Sequence, residues 1–353
     1  MARSNKKFGE SASAGLFFRR SRIRLKPVLR TVLQTILILL LTVSLLGAQD
    51  PPKQSDEIIR LSTELVVLEA EVISQRTGQP IGSLKQADFA IYEEGIKQEI
   101  EYFSYDRLPL SIVLVLDVSS SVWAGLDQIQ EAAVHALRRL KPEDEVALMV
   151  FASKTMMVQE FTRDRRLMAN HIEAIRKLKD YGTNVNHAVY QAASYLKRAT
   201  KPSRRRVIIA ITDNESAPAQ KEAEQETMQE LFESGSVVCG LVVGPFDESF
   251  WKRLKSRAPL GFGKDYLNPQ ADATGGLVIV AEKKQITDQF TAIIEHLRTR
   301  YSLGYMPSKA ERTGEFRKIK LSLAPEAEQR EGRVTIITKQ GYYARKPEPF
   351  RER

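Results

Sequence analysis

Two acids and three hydroxyls stand at positions where they could hold a metal ion. Asp117, Ser119 and Ser121 form an Asp-x-Ser-x-Ser loop directly after the apolar run Ser111-Ile112-Val113-Leu114-Val115-Leu116. Asp213 follows a second such run, Val207-Ile208-Ile209-Ala210-Ile211, with Thr212 between. Thr183 lies between them in chain order, in Gly182-Thr183-Asn184 before a helical pattern. All five side chains are hard oxygen donors. Such sets suit Mg²⁺ or Mn²⁺, with Ca²⁺ also accommodated, and a shell of few protein ligands leaves a position for an external oxygen. The Asp-x-Ser-x-Ser loop alone is weak, because strand-end Asp and Ser often cap the next helix. Three pieces in order, each at the end of its element, carry more weight.

The elements that must position these residues follow from hydrophobic spacing. Residues 110–116, 146–151, 207–211 and 237–243 are continuous apolar runs, as strands covered on both faces require, and 276–280 predicts a fifth strand. Helical spacing covers 128–140, 165–178, 185–197, 219–233 and 285–298, and 156–161 reads as a short edge strand. Strands alternating with helices predict an α/β fold with a doubly wound, mostly parallel sheet. In such sheets ligands bind outside the carboxyl ends of the strands, which is where Asp117 and Asp213 fall. On both flanks the pattern turns β. Residues 64–73, 88–95 and 98–103 read as strands before the sheet, the last as one half-buried strand of period two. Residues 301–305, 316–323 and 334–338 do so after it, followed by Gly341-Tyr342-Tyr343. Each flank is too short to bury a face alone, so a flanking β-rich module built from N- and C-terminal segments is expected. The expected boundaries are 49–59 linker, 60–107 N-terminal β module, 108–300 central domain, 301–345 C-terminal strands and 346–353 tail.

The central segment, 108–300, resembles the von Willebrand factor type A domain. Asp117, Ser119, Ser121, Thr183 and Asp213 match all five positions of that family's metal-ion-dependent adhesion site. The resemblance implies that the hydroxyls coordinate the metal, that the two Asp act directly or through water, and that a carboxylate from a partner protein completes the shell. A rim of Trp123, Asn184, Asn214 and Glu215 would surround it. Asn214 departs from the pattern, since Gly is common there, and His187 lies one helical turn after Thr183. The flanks (Asp88-Phe89, Tyr92-Glu93-Glu94-Gly95, Leu303-Gly304-Tyr305, Phe316-Arg317-Lys318-Ile319, Gly341-Tyr342-Tyr343-Ala344) are similar to those of an exported bacterial VWFA-related family abundant in acidobacteria.

Charge narrows the function classes. The chain has 353 residues, a formal charge of +9 and one Cys. A single Cys excludes an intramolecular disulfide framework and a Cys-based zinc site. The pI near 9.4 points toward nucleic acid until the charges are located. Residues 1–31 hold nine Lys/Arg and one acid, and the remainder holds 44 basic against 43 acidic residues. A body so balanced has no global field for a polyanion, so no nucleic-acid partner is expected. The basic segment precedes an uncharged apolar run, 32–48, ending in Gly47-Ala48. That arrangement predicts a secretory signal within 1–48 or, if uncleaved, an N-terminal membrane anchor. Either way the body is expected to be exported to the periplasm, cell surface or medium, with membrane contact only through 32–48.

The expected function is a divalent-metal-dependent protein-binding module of the cell envelope, adhesive or scaffolding, and not an enzyme. The alternatives are a Mg²⁺-dependent hydrolase and a structural envelope protein with a vestigial site. Against hydrolysis, the sequence has no Gly-x-x-x-x-Gly-Lys-Ser/Thr, no Gly-x-Ser-x-Gly and no His-Glu-x-x-His, and no His or Lys in the metal loops to serve as base. Lys201–Arg206 reads as a basic solvated loop, Gly261-Phe262-Gly263 as part of a polar loop at 256–274, and Cys239 as a small apolar filler in a buried strand.

Overall fold

The structure is a computed structural model that describes residues 65–105, 108–178, 180–201, 204–216, 219–244, 265–308 and 314–344. The leader expected at 1–48 and the Gly261-Phe262-Gly263 segment lie outside the described residues. Among the described residues no helix is long and apolar enough to cross a membrane.

In chain order the strands are β1 (Val66–Ser74), β2 (Phe89–Glu93), β3 (Ile96–Gln98), β4 (Tyr102–Ser104), β5 (Leu110–Asp117), β6 (Glu145–Phe151), β7 (Thr155–Thr162), β8 (Arg205–Thr212), β9 (Val237–Val243), β10 (Val278–Ala281), β11 (Tyr301–Tyr305), β12 (Phe316–Leu323), β13 (Val334–Thr338) and β14 (Gly341–Tyr343). The α-helices are α1 (Leu126–Leu137), α2 (Arg165–Ala174), α3 (Val185–Ala199), α4 (Lys221–Ser234), α5 (Leu267–Thr274), α6 (Ile286–His296) and α7 (Pro325–Glu331).

A six-stranded sheet, ordered β10-β9-β8-β5-β6-β7, forms the centre. Its pairings are parallel except that of the edge strand β7, which runs antiparallel to β6. Strand β5 explains the continuous apolar run. Period-two alternation sends Ile112, Leu114 and Leu116 to one face, where they pack with Ile129 and Ala133 of α1 and Phe290 and Ile293 of α6. The alternate residues Val113 and Val115 pack on the other face with Val185, Ala188 and Val189 of α3. With both faces covered, Ile112 through Leu116 are all apolar, and the first carboxylate stands at the last residue of the strand, Asp117.

The flanking strands form two four-stranded sheets, β13-β1-β11-β4 and β14-β12-β2-β3. Each mixes strands from both ends of the chain, and Leu68, Val72, Ile91, Tyr301, Leu303 and Leu321 share one core between them. The fold class is therefore the expected one.

Several details differ from the sequence reading. Residues 98–103 are not one strand. Gln98 ends β3, which pairs with β2, while β4 pairs with β11 in the other sheet. The chain crosses between sheets at 99–101, a break that a period-two pattern does not register. The segment 267–274, read as loop, is α5, which closes on Gly275. Helix α7 was not foreseen, although it starts with Pro325 at its first position, where a missing N–H costs nothing, and carries Glu326 and Glu328 in its first turn. Only 165–174 of the expected 165–178 is α-helical, since a 3₁₀ turn follows at Ile175–Leu178.

The basic run is the largest correction. Arg204, Arg205 and Arg206 are not solvated. Arg204 donates to Ser111 Oγ and Leu110 O at 2.7 Å and pairs with Glu145 at 3.0 Å. Arg205 pairs with Glu69 and donates to the Leu297 carbonyl. Arg206 donates to the carbonyls of Ser234 at 2.6 Å and Thr200 at 3.1 Å. Their charges tie the start of β8 to the surrounding elements.

Candidate metal centre

The sheet order fixes where the site must lie. From β5 the chain moves to β6 and β7 on one side, then jumps to β8 on the other side of β5. The crevice between the carboxyl ends of β5 and β8 is thus the topological switch point, where α/β sheets bind ligands. The parallel register sets Leu116 beside Ile211, so the next residues, Asp117 and Thr212, emerge as neighbours.

Asp117 is fully buried. Its Oδ1 accepts from the Ser119 N–H at 2.8 Å and its Oδ2 from the Thr212 hydroxyl at 2.5 Å. Ser119 and Ser121 face each other, Oγ to Oγ, at 3.0 Å. The loop is held from behind, because the Val118 N–H donates to Phe151 O at 2.9 Å and Trp123 Nε1 donates to Val118 O at 2.8 Å. Asp213 comes off the end of β8, and its Oδ1 accepts from the Glu215 N–H at 3.1 Å. The Ser121 side chain also hydrogen-bonds to this carboxylate. Asp213 Oδ2 is buried with no hydrogen-bond partner.

Burial pushes the Asp117 carboxyl up to about 7, and the facing charge of Asp213 adds to it. Burial likewise pushes Asp213 up to about 6, opposed by the Ser121 hydrogen bond. Two carboxylates that repel each other away from water, one with an orphaned oxygen, are electrostatically incomplete. A hard divalent cation would remedy both defects, and a donor set of carboxylates and hydroxyls is of the chemical kind that suits one. Among the described residues no group of three or more His, Cys, Asp or Glu side chains could hold a metal. The donor set here is of a different kind, two carboxylates supplemented by hydroxyls.

Thr183 is positioned through its backbone and its neighbours. Its carbonyl accepts from Ser216 Oγ at 3.3 Å, the same Ser216 oxygen accepts from the Val185 N–H at 3.2 Å, and the Asn184 N–H donates to Ala152 O at 2.9 Å. Gly182, at φ 78°, makes the turn into this segment, a conformation that favours Gly.

The expected rim residues have distinct placements. Asn184 is the N-cap of α3, its side-chain oxygen accepting from the His187 N–H at 3.0 Å. Asn214 has φ 58°, donates its backbone N–H to Thr212 Oγ1 at 3.0 Å and bonds Asp265 through Nδ2 at 2.7 Å. Left-handed backbone is why Gly suits this position, and Asn is among the few residues that tolerate it. Glu215 lies beside Asp213, and its charge acts to raise that carboxyl. Trp123 packs against Tyr181, ring centroids 5.3 Å apart. His187 lies exposed on α3, with Nδ1 3.1 Å from Thr155 Oγ1.

Three neighbours of the candidate ligands are absent from the site residues read in the sequence: Thr212, which bonds Asp117, Ser216, which bonds the Thr183 carbonyl, and Tyr181, which stands beside Trp123 with 70% of its surface exposed. Thr212 could have been found from the register, since it must emerge opposite Asp117. Ser216 and Tyr181 carry no signal in the sequence.

The von Willebrand factor type A domain profile matches residues 112–216. That segment is similar to von Willebrand factor type A domains. Asp117, Ser119, Ser121, Thr183 and Asp213 all fall within the matched range. No curated protein sequence matches the chain. Similar solved structures include the conserved hypothetical protein BatB from Bacteroides thetaiotaomicron, at 19% identity over 53% of this chain and 99% of that one, TM-score 0.40. A von Willebrand factor type A protein from Catenulispora acidiphila shares 10% identity over 80% of this chain and 73% of that one, TM-score 0.44. The manganese-loaded TRAP protein of Plasmodium vivax shares 13% identity over 68% of this chain and 98% of that one, TM-score 0.39.

Proposed function

We propose that the type A domain is a divalent-metal-dependent protein-binding module that captures a partner carboxylate, and that the chain is exported to the cell envelope. The observation that carries this reading is the pair of buried, mutually repelling carboxylates at the switch point, with Asp213 Oδ2 left without a partner beside two serine hydroxyls. Asp117, Ser119, Ser121, Thr183 and Asp213 would hold Mg²⁺, with Mn²⁺ or Ca²⁺ as substitutes. When bound, the metal supplies a Lewis-acidic position that a carboxylate from another protein can fill. The protein's own part is to fix the oxygens. Thr212 and the Ser119 N–H hold Asp117, the Glu215 N–H holds Asp213, and Ser216 steadies the Thr183 backbone. The exposed Tyr181 ring beside Trp123 offers an aromatic surface for the partner's flanking residues. We assign the site no bond-making or bond-breaking step. Export rests on the basic, then apolar, composition of residues 1–48.

The test is a calorimetric titration of Mn²⁺ into the purified chain, paired with capture of envelope proteins with and without EDTA. One metal site is expected, lost in Asp117→Ala, and EDTA-sensitive capture is expected to vanish in Asp213→Ala. Capture that survives both EDTA and Asp213→Ala rejects the proposal.

A further inference from the structure

The opposite pole of the central sheet carries a second concavity. Its volume is about 500 Å³, within the roughly 300–1,000 Å³ of small-molecule sites. It lies where the first residues of β8 and β9 and the end of α4 meet β1, β4 and β11. Its wall has two parts. Val67, Tyr102, Leu108 and Phe232 make an apolar side. Val67 and Tyr102 retain 39% and 41% of their surface exposed, although both belong to strands whose other side chains build the module core.

The remaining end is polar and carries an excess of positive charge. Glu69 accepts from Arg205 and, at 2.8 Å, from Ser302 Oγ, so its carboxylate is already matched. Arg205 Nε is buried with no hydrogen-bond partner. Lys339 lines the same end, and its ammonium makes no hydrogen bond or ion pair among the described residues. Burial holds that ammonium down to about 8, with the charge of Glu69 acting against the effect. Arg300 is fully buried with all three guanidinium nitrogens unpartnered, within electrostatic reach of Arg205, Glu69 and Glu71. Glu71 is fully buried as well, with Oε1 2.7 Å from His296 Nδ1 and Oε2 without a hydrogen-bond partner. Arg204, Arg205, Arg206 and Lys339 line the cavity with a single carboxylate, Glu69, and of these four only Lys339 has no partner among the described residues. An anion bound in the cavity would pair with the Lys339 ammonium through charge-assisted hydrogen bonds.

We propose that this cavity binds a small organic anion: one carboxylate or phosphate head on an apolar chain, with the head beside Lys339 and the chain along Val67, Tyr102 and Phe232. A neutral apolar molecule would leave Lys339 unmatched. A polyanion would set charge against the apolar wall. The site lies at the strand starts, whereas the metal loops lie at the strand ends, so its occupancy does not depend on metal.

The experiment titrates decanoate, decanol and decyl phosphate into the full chain in EDTA by calorimetry, for the unaltered protein and for Lys339→Met, which keeps bulk and removes charge. Decanoate or decyl phosphate is expected to bind about tenfold or more tighter than decanol, a gap of roughly 1.4 kcal/mol. Lys339→Met is expected to erase that gap while leaving decanol unchanged. The tighter of the two anions identifies the head group, and either order supports the proposal. Equal affinity for decanoate, decyl phosphate and decanol, no binding of either anion, or undiminished anion binding by Lys339→Met overturns it. If Lys339→Met does not fold, the comparison of the anions with decanol on the unaltered chain decides.

Discussion

Neutralising Asp117 should stabilise the metal-free protein while abolishing metal binding. Asp117 is buried, faces the charge of Asp213, and has its carboxyl pushed from 3.8 up to about 7. At 1.36 kcal/mol per pH unit, ionising it in the fold carries a penalty with a ceiling of roughly 4 kcal/mol. Relaxation and water entry reduce this, so Asp117→Asn in EDTA at pH 8 should gain about 2 kcal/mol. Asn can keep both local contacts, accepting from the Ser119 N–H and donating to Thr212 Oγ1. The sign follows from linkage. Because the folded carboxyl titrates above its unfolded value, the folded state holds more protons between about pH 4 and 7. The stability that this group contributes is therefore present below about pH 4 and is lost as pH rises through about 7. The advantage of Asp117→Asn should be greatest at pH 8 and vanish toward pH 4. Urea unfolding in EDTA across that range measures it, and saturating Mg²⁺ should reverse the order by stabilising only the unaltered protein. An Asp117→Asn protein less stable than its parent at pH 8 in EDTA would refute the argument that this carboxylate is electrostatically strained.

Four further outcomes are expected. Metal binding must displace the protons of Asp117 and Asp213, which titrate near 7 and 6. Mn²⁺ affinity should thus fall roughly a hundredfold from pH 7.5 to 5.5, and a flat calorimetric profile would count against these ligands. Asn214→Gly should fold normally, whereas Asn214→Val, forced into φ 58°, should lose about 1–3 kcal/mol in urea unfolding. Asp144, fully buried, accepts from the N–H groups of Leu110 at 2.9 Å and Lys141 at 2.7 Å and pairs with Arg298 at 2.5 Å. Asp144→Ala strands that guanidinium and should cost about 3–5 kcal/mol by the same assay. Tyr181→Ala should leave Mn²⁺ affinity unchanged and weaken EDTA-sensitive capture, and equal capture by the two proteins would remove the aromatic rim from the proposal.

Much of the architecture was legible because burial on both faces leaves a strong mark. The runs at 112–116 and 207–211 have nothing polar until Asp117 and Thr212, so the next side-chain oxygens had to emerge at the sheet edge. The sequence therefore determined the fold class, the existence of a two-ended β module, and the residue types that crowd the ends of β5 and β8. It could not show that 98–103 changes sheets, because both halves keep the same alternation. Nor could it show that Arg204, Arg205 and Arg206 are interior, since a buried arginine and a solvated one look alike until their acceptors are known. Those acceptors, the carbonyls of Ser234 and Leu297 and the carboxylate of Glu69, are distant in the chain. The tertiary structure alone decided which oxygens of the metal loops are already satisfied and which are not. Asp117 is held by Thr212 only because parallel pairing sets β8 beside β5, and Asp213 Oδ2 is buried without a partner although serine hydroxyls stand nearby. Hydrophobic periodicity is local and can be read along the chain, whereas charge compensation depends on distances across it, which only the folded chain sets.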